Sequence, residues 1–87
     1  MDPEHQLEDL KNTAARLSIA IEAGNLGDDE FPTRGGYCRL RGQDLILLDR
    51  RLHPAEQVNI ILEALSRFDL EAVYLPSWVR ERLSVKT

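Results

Sequence analysis

The apolar residues in the first quarter of the chain recur at the spacing of a helix. Asp2 and Pro3 suit a helix start, and Gly24 suits the position after a helix end. We therefore predict a helix over residues 2–23, within an N-terminal segment 1–24 that docks on the rest of the domain or on a second subunit. The apolar positions are three or four residues apart, on one side of this helix: Leu7, Leu10, Ala14, Leu17 and Ile21.

The next segment, residues 25–36, breaks this periodicity. Gly27, Pro32 and the pair Gly35-Gly36 interrupt it, and the acidic run Asp28-Asp29-Glu30 suits a solvated segment. We predict a loop over these residues.

A β-hairpin follows the predicted loop. Cys38 and Leu40 alternate with polar side chains, which predicts a strand with Cys38 on its inward face. Gly42-Gln43 fits a two-residue type II′ turn, and Leu45–Leu48 predicts a second strand that is apolar on both faces. Because a two-stranded hairpin is marginal in water, a further element must cover or pair it. The candidates are Ala72–Leu75 as a third strand, the N-terminal helix, or another subunit.

Two further helices complete the predicted fold. An apolar face of helical period predicts a core helix over Pro54–Phe68, and Pro76 suits the start of a short C-terminal helix that ends near Ser84. The segment Leu70–Leu75 is compatible with a third strand or with a helical turn. The sequence thus predicts one α+β domain over residues 1–87, whose α+β body spans residues 37–87.

Composition and charge narrow the possible classes. The chain has 87 residues, 43% of them hydrophobic, and a net charge of −4, which fits one folded domain and argues against a nucleic-acid partner. Residues 1–31 carry a balance of −6 and residues 32–53 a balance of +3, so these segments attract each other within one chain or between two copies. No apolar run suits a signal peptide or a membrane span, and a lone Cys38 fits a reducing compartment. We therefore expect a cytoplasmic protein without a membrane partner.

Candidate catalytic chemistry is sparse. His5, His53 and Cys38 do not have the spacing of a zinc site, and no serine lies in a nucleophile-elbow pattern. The glycines after Thr33 precede a predicted strand, not the helix N-terminus that a phosphate cradle needs. We predict no catalytic residue, no metal, no cofactor and no enzymatic activity.

The stretch Gly36–Phe68 resembles the hairpin-plus-helix core of minimal zinc metallopeptidases. In that family the helix carries His-Glu-x-x-His, in which two imidazoles bind zinc around a general-base carboxylate. Here the helix reads Leu62-Glu63-Ala64-Leu65-Ser66, so both ligand histidines are absent. The resemblance implies the fold of that core without its zinc hydrolysis, that is, a catalytically inactive metallopeptidase-like domain.

The sequence favours one function, and it leaves a second hypothesis, together with the metallopeptidase-like domain, as the alternatives. The first is a small non-catalytic interaction or regulatory module that forms a homodimer or binds another protein, because an acidic helix and a basic hairpin complement each other and the apolar strand needs cover. Its predicted interface comprises Leu7, Leu10, Leu17, Ile21, Tyr37, Arg39, Arg41 and Trp78. The second is an anion- or metabolite-binding protein, or an enzyme, that uses the basic hairpin. Its predicted binding residues are Arg34, Arg39, Arg41 and Arg51.

Overall fold

A computed structural model describes residues 2–25 and 35–84 of the chain. Within those ranges it contains helices and a three-stranded mixed sheet of order β1-β3-β2, which confirms the predicted α+β class. The elements are α1 (Pro3–Arg16), β1 (Ala20–Gly24), β2 (Gly35–Leu40), β3 (Gln43–Asp49), α2 (Pro54–Leu65) and α3 (Ser77–Leu83).

Helix α1 begins as predicted but ends seven residues early. The Asp2 carboxylate accepts a hydrogen bond from the His5 backbone N–H at 2.9 Å, and Pro3 occupies the first turn. After Arg16, Ser18 adopts a left-handed conformation with φ of 60°, and the Ile19 N–H donates to the Ala14 carbonyl at 2.9 Å. This is the Schellman end of a helix, formed with serine in place of the usual glycine. The prediction of helix through residue 23 is therefore wrong.

The residues after this helix end form β1, the third strand of the sheet. It pairs in parallel with β3, with Ile21 in register with Ile46. The sheet's third strand is thus a segment that we predicted as helix, because Leu17 and Ile21 happen to fit helical spacing. Ala72–Leu75 contains no strand, and the Val73 N–H donates to the Leu70 carbonyl at 3.3 Å in a turn.

The hairpin turn lies one residue earlier than predicted. Leu40 pairs with Gln43, so Arg41 and Gly42 are the two central residues, and their φ values are 52° and 80°. Two positive φ values define a type I′ turn, not the type II′ turn expected at Gly42-Gln43. Arg41 accepts the left-handed conformation that this turn imposes.

The helices cover one face of the sheet. Ile46 and Leu48 of β3 are 0% and 2% exposed, and they join a core with residues of all three helices. Helix α2 ends at Leu65, three residues before the predicted end, and α3 lies within its predicted bounds. The opposite face carries Cys38, Leu40, Leu45 and Leu47. The prediction that Cys38 points inward, towards the helices, is therefore wrong. On this face Leu40 is 60% exposed and Leu45 is 7% exposed.

The start of β2 requires glycine. Gly35 has φ of 120°, and a Cβ at this position would lie 2.1 Å from the Leu47 carbonyl oxygen. Such a contact is impossible without moving backbone, so the close approach of β2 to β3 at this end depends on the missing side chain.

Ser18→Gly should stabilise the fold. Glycine adopts the left-handed conformation without the cost that a Cβ brings, and part of this gain is lost to the greater freedom of glycine in the unfolded chain. We expect a net gain of about 0.5–1 kcal/mol and a melting temperature about 2–6 °C higher in calorimetry. Ser18→Ala is the matched control and should not show the gain; an equal gain in both variants would contradict the explanation.

Gly35→Ala should destabilise the fold by about 2–3 kcal/mol, measured by urea unfolding, because the new Cβ meets backbone in a strained conformation. Gly24→Ala is the control, since a Cβ there has nothing within 4 Å and should change stability by less than about 0.5 kcal/mol. Equal stability of the two variants would show that the close approach at Gly35 is not a constraint.

Candidate interaction surface

Both outer edges of the sheet lack a strand partner among residues 2–25 and 35–84. Strand β3 lies in the centre, β1 forms one edge and β2 the other. Because the Arg50 N–H donates to the Gly24 carbonyl, parallel geometry directs the backbone groups of Ile21 and Ala23 outward. On the other side, a two-residue hairpin closes on a hydrogen-bonded pair, here Leu40 and Gln43. The resulting alternation directs the N–H and C=O groups of Gly35, Tyr37 and Arg39 outward from β2.

A cleft of about 240 Å³ runs beside the β2 edge. The first three residues of β2, Gly35–Tyr37, form one wall, and the C-terminal part of α2 with the turn after it forms the other. Glu63 and Arg67 line this second wall and are exposed. In the part of the chain that the structure describes, neither side chain has a hydrogen bond or an ion pair. The β2 edge is therefore flanked by two opposite charges that have no partner within these described ranges. We refer to the outward backbone of β2 together with Glu63 and Arg67 as the β2–α2 surface.

Tyr37 holds the edge strand in place. Its ring packs edge-on against Phe68 with centroids 5.4 Å apart, and its hydroxyl donates to Asp44 Oδ1 at 2.6 Å. The hydrogen bond to the Asp44 carboxylate, assisted by partial burial, raises the pKa of the Tyr37 phenol above its ordinary value. These contacts link β2 to the segment after α2 and to β3, and so fix the geometry of the cleft.

The predicted interface residues lie in three different environments. Leu10 is 0% exposed in the core of its own chain, so it does not reach any surface of this fold. Five others pack against that core from its margin: Leu7, Leu17, Ile21, Tyr37 and Trp78. Only Arg39 and Arg41 are exposed, at the hairpin end of the sheet.

The acidic helix does not lie along the basic hairpin within one chain. Helix α1 packs mainly on α2 and has fewer contacts with β1. Its Asp9 carboxylate accepts a hydrogen bond from Trp78 Nε1 at 2.8 Å, and its Arg16 guanidinium lies 5.2 Å from the centre of the Tyr74 ring.

The predicted anion-binding arginines are not brought together in the described residues. Arg39 and Arg41 lie at the hairpin end of β3, whereas Arg51 follows its other end, about 20 Å away at the rise of a strand. Arg51 also binds the buried Asp49 through Nε at 2.9 Å and Nη2 at 2.6 Å. Arg34 lies outside the described residues.

Metal-binding geometry is absent from the described ranges, where no three His, Cys, Asp or Glu side chains could hold an ion together. At the end of α2, the two positions that correspond to the histidines of the metallopeptidase motif, Leu62 in the helix and Ser66 just after it, differ in exposure. Leu62 is 5% exposed in the core and Ser66 is exposed, while Glu63 faces the cleft. None of the described helices has the length and apolar character needed to cross a bilayer. Comparisons with protein-family models, curated proteins and solved structures found no match to this chain.

The sequence interpretation did not identify the β2–α2 surface. Two signals for it were present: the glycine pair at Gly35-Gly36, which we read as a loop, and opposite charges four positions apart at Glu63 and Arg67. Neither signal indicates a binding surface by itself, because only the folded chain places the two glycines beside Glu63 and Arg67.

The hydrogen bond of Tyr37 should make stability fall at alkaline pH. Because its pKa is raised in the folded state, its contribution is fully present below the ordinary tyrosine pKa and is lost as pH rises through the raised value. Urea midpoints of the wild type and Tyr37→Phe should therefore converge with rising pH. In Asp44→Asn the phenol should titrate at lower pH, as followed by phenolate absorbance. If the difference in urea midpoint between wild type and Tyr37→Phe were the same at all pH values, this role of the hydrogen bond would be refuted.

Proposed function

We propose that this protein is a small non-catalytic interaction module that self-associates through its sheet. The observation that carries the proposal is that both edge strands of the sheet, β1 and β2, have no outer strand partner among the described residues. Helices cover the face of the sheet that carries Ile46 and Leu48. The described residues provide no fourth strand at either edge.

The open edges favour association for a physical reason. An edge strand presents backbone N–H and C=O groups that pair readily with another strand, and proteins usually shield such edges with proline, inward-pointing charge or a covering element. Neither β1 nor β2 contains proline, and β2 begins with two glycines that leave its backbone accessible. A second copy of the chain always supplies a strand of matching length, and twofold dimers are the commonest assemblies.

A catalytic function receives less support from the described residues. The cleft beside β2 is lined by one carboxylate and one guanidinium, without a histidine, cysteine or serine nucleophile. The arginines of the anion-binding hypothesis are divided between the two ends of the sheet, so no single pocket in these ranges gathers them. Self-association needs only the backbone and side chains that the structure already presents.

The purified wild type should be a dimer that dissociates on dilution. We expect sedimentation velocity from low micromolar to several hundred micromolar to show a monomer–dimer equilibrium, with a Kd in the micromolar range typical of small interfaces. The melting temperature should rise with protein concentration, because association stabilises the folded state by mass action. A single monomeric species at all concentrations would refute the proposal.

Tyr74→Gln is the control for nonspecific adhesion. Tyr74 is 68% exposed and lies outside the sheet, so its replacement should leave the dimer Kd unchanged. A loss of association in this variant would place the contact at Tyr74 and contradict a role for the sheet.

A further inference from the structure

We propose that the two copies join by antiparallel pairing of β2 with β2 of the second copy, with Tyr37 opposite Tyr37 across a twofold axis. This inference rests on the proposed self-association and names the surface that performs it. The result is a continuous six-stranded sheet with both α2 helices on the same side.

The backbone of β2 supplies a suitable set of hydrogen-bonding groups. Gly35, Tyr37 and Arg39 direct their N–H and C=O groups outward, as argued above from the hairpin register. Pairing about Tyr37 places Arg39 opposite Gly35 of the second copy. Each guanidinium therefore meets a residue without a side chain, and the two arginines do not oppose each other.

The β1 edge is a poorer candidate for the same contact. Only Ile21 and Ala23 of this five-residue strand direct their backbone groups outward. A twofold pairing that uses both places Glu22 directly opposite Glu22 of the second copy. Like charges at directly opposed positions destabilise strand pairing.

Helix α2 adds charge complementarity to the β2 edge. Glu63 lies in the last turn of α2 and Arg67 in the turn that follows the helix, and both line the cleft beside Gly35–Tyr37. The twofold axis reverses the order of the two residues in the second copy, and we place it between them, so that Glu63 of each copy lies near Arg67 of the other copy. Two charges that have no partner among residues 2–25 and 35–84 thereby form two intermolecular pairs in the dimer.

Charge reversal tests this arrangement. Glu63→Arg and Arg67→Glu should each raise the dimer Kd about tenfold, because each variant creates two like-charge contacts across the axis. The double variant Glu63→Arg/Arg67→Glu should restore the Kd to within about threefold of the wild type, since the exchanged charges again complement each other. Both positions are exposed, so circular dichroism of all three proteins should match the wild type.

Cross-linking at Cys38 measures the strand register. In the proposed pairing Cys38 lies opposite Gly36 of the second copy, so the two thiols are diagonal neighbours about 7–8 Å apart. A bismaleimide with a span of about 8 Å should join the two copies at Cys38, the chain's one cysteine. Pairing through β1 would place four strands between the two thiols and separate them by about 24 Å. In that case the reagent would instead join two copies of the variant Glu22→Cys/Cys38→Ser, whose new cysteines would lie opposite each other.

Leu40→Gln separates edge pairing from packing of the two exposed sheet faces. Leu40 is 60% exposed on the face opposite the helices, so face-to-face packing would bury it, whereas edge pairing about Tyr37 leaves it at the periphery. We expect the dimer Kd of the Leu40→Gln variant to remain within about threefold of the wild-type value.

The outcomes distinguish this inference from the broader proposal. If the dimer Kd is unchanged by the charge reversals, or if the Leu40→Gln variant does not dimerise, the β2 pairing is overturned while the proposed self-association still holds. A dimer that responds to both single reversals, recovers in the double variant and cross-links at Cys38 supports the pairing. A wild type that is monomeric throughout overturns both.

Discussion

The parallel pairing of β1 with β3 holds the fold together, because it provides the third strand that the hairpin lacks. A hairpin of two strands is marginal in water, and β3 is apolar at four consecutive positions. By placing Ile21 beside Ile46, the pairing extends the surface on which α1 and α2 pack. That packing leaves Ile46 fully buried within a chain of only 87 residues. The same pairing makes β2 an outer strand, which exposes the edge on which the proposed interaction depends.

Much of this fold follows from local pattern, and the exceptions have identifiable causes. The first helix start is encoded by the Asp2 cap. The core helix from Pro54 and the short helix after Pro76 are encoded by a proline at the start and by helical periodicity. The end of α1 is not, because Ser18 occupies a position where glycine is the usual signal. Beyond that point Ile19 and Ile21 fit either a helix or a strand of period two. Only the tertiary partner, Ile46, decides between the two conformations.

The proposed interaction surface was less predictable than the fold, because its main components are backbone groups. Hydrophobic positions were expected to form an interface, yet Leu10 and its neighbours serve the core of a single chain. The side chains left free to contact a partner are those on the sheet face that the helices do not cover. The alternation of Tyr37 with Cys38 in the sequence does not indicate which face that is. The ring of Tyr37 packs on Phe68, so the polar-looking side of the strand faces inward.

Backbone pairing supplies affinity without choosing a partner, so specificity must come from groups beside the edge. Any extended chain could in principle satisfy the outward groups of β2, which is why exposed edges promote nonspecific aggregation. Glu63 and Arg67 restrict that choice, because their opposite charges match a strand that carries its own helix in the reversed orientation. A second copy of this chain meets that condition, whereas a generic strand without such a helix does not. In the proposed dimer, the charges beside the edge thus make a generally adhesive strand edge selective for a second copy.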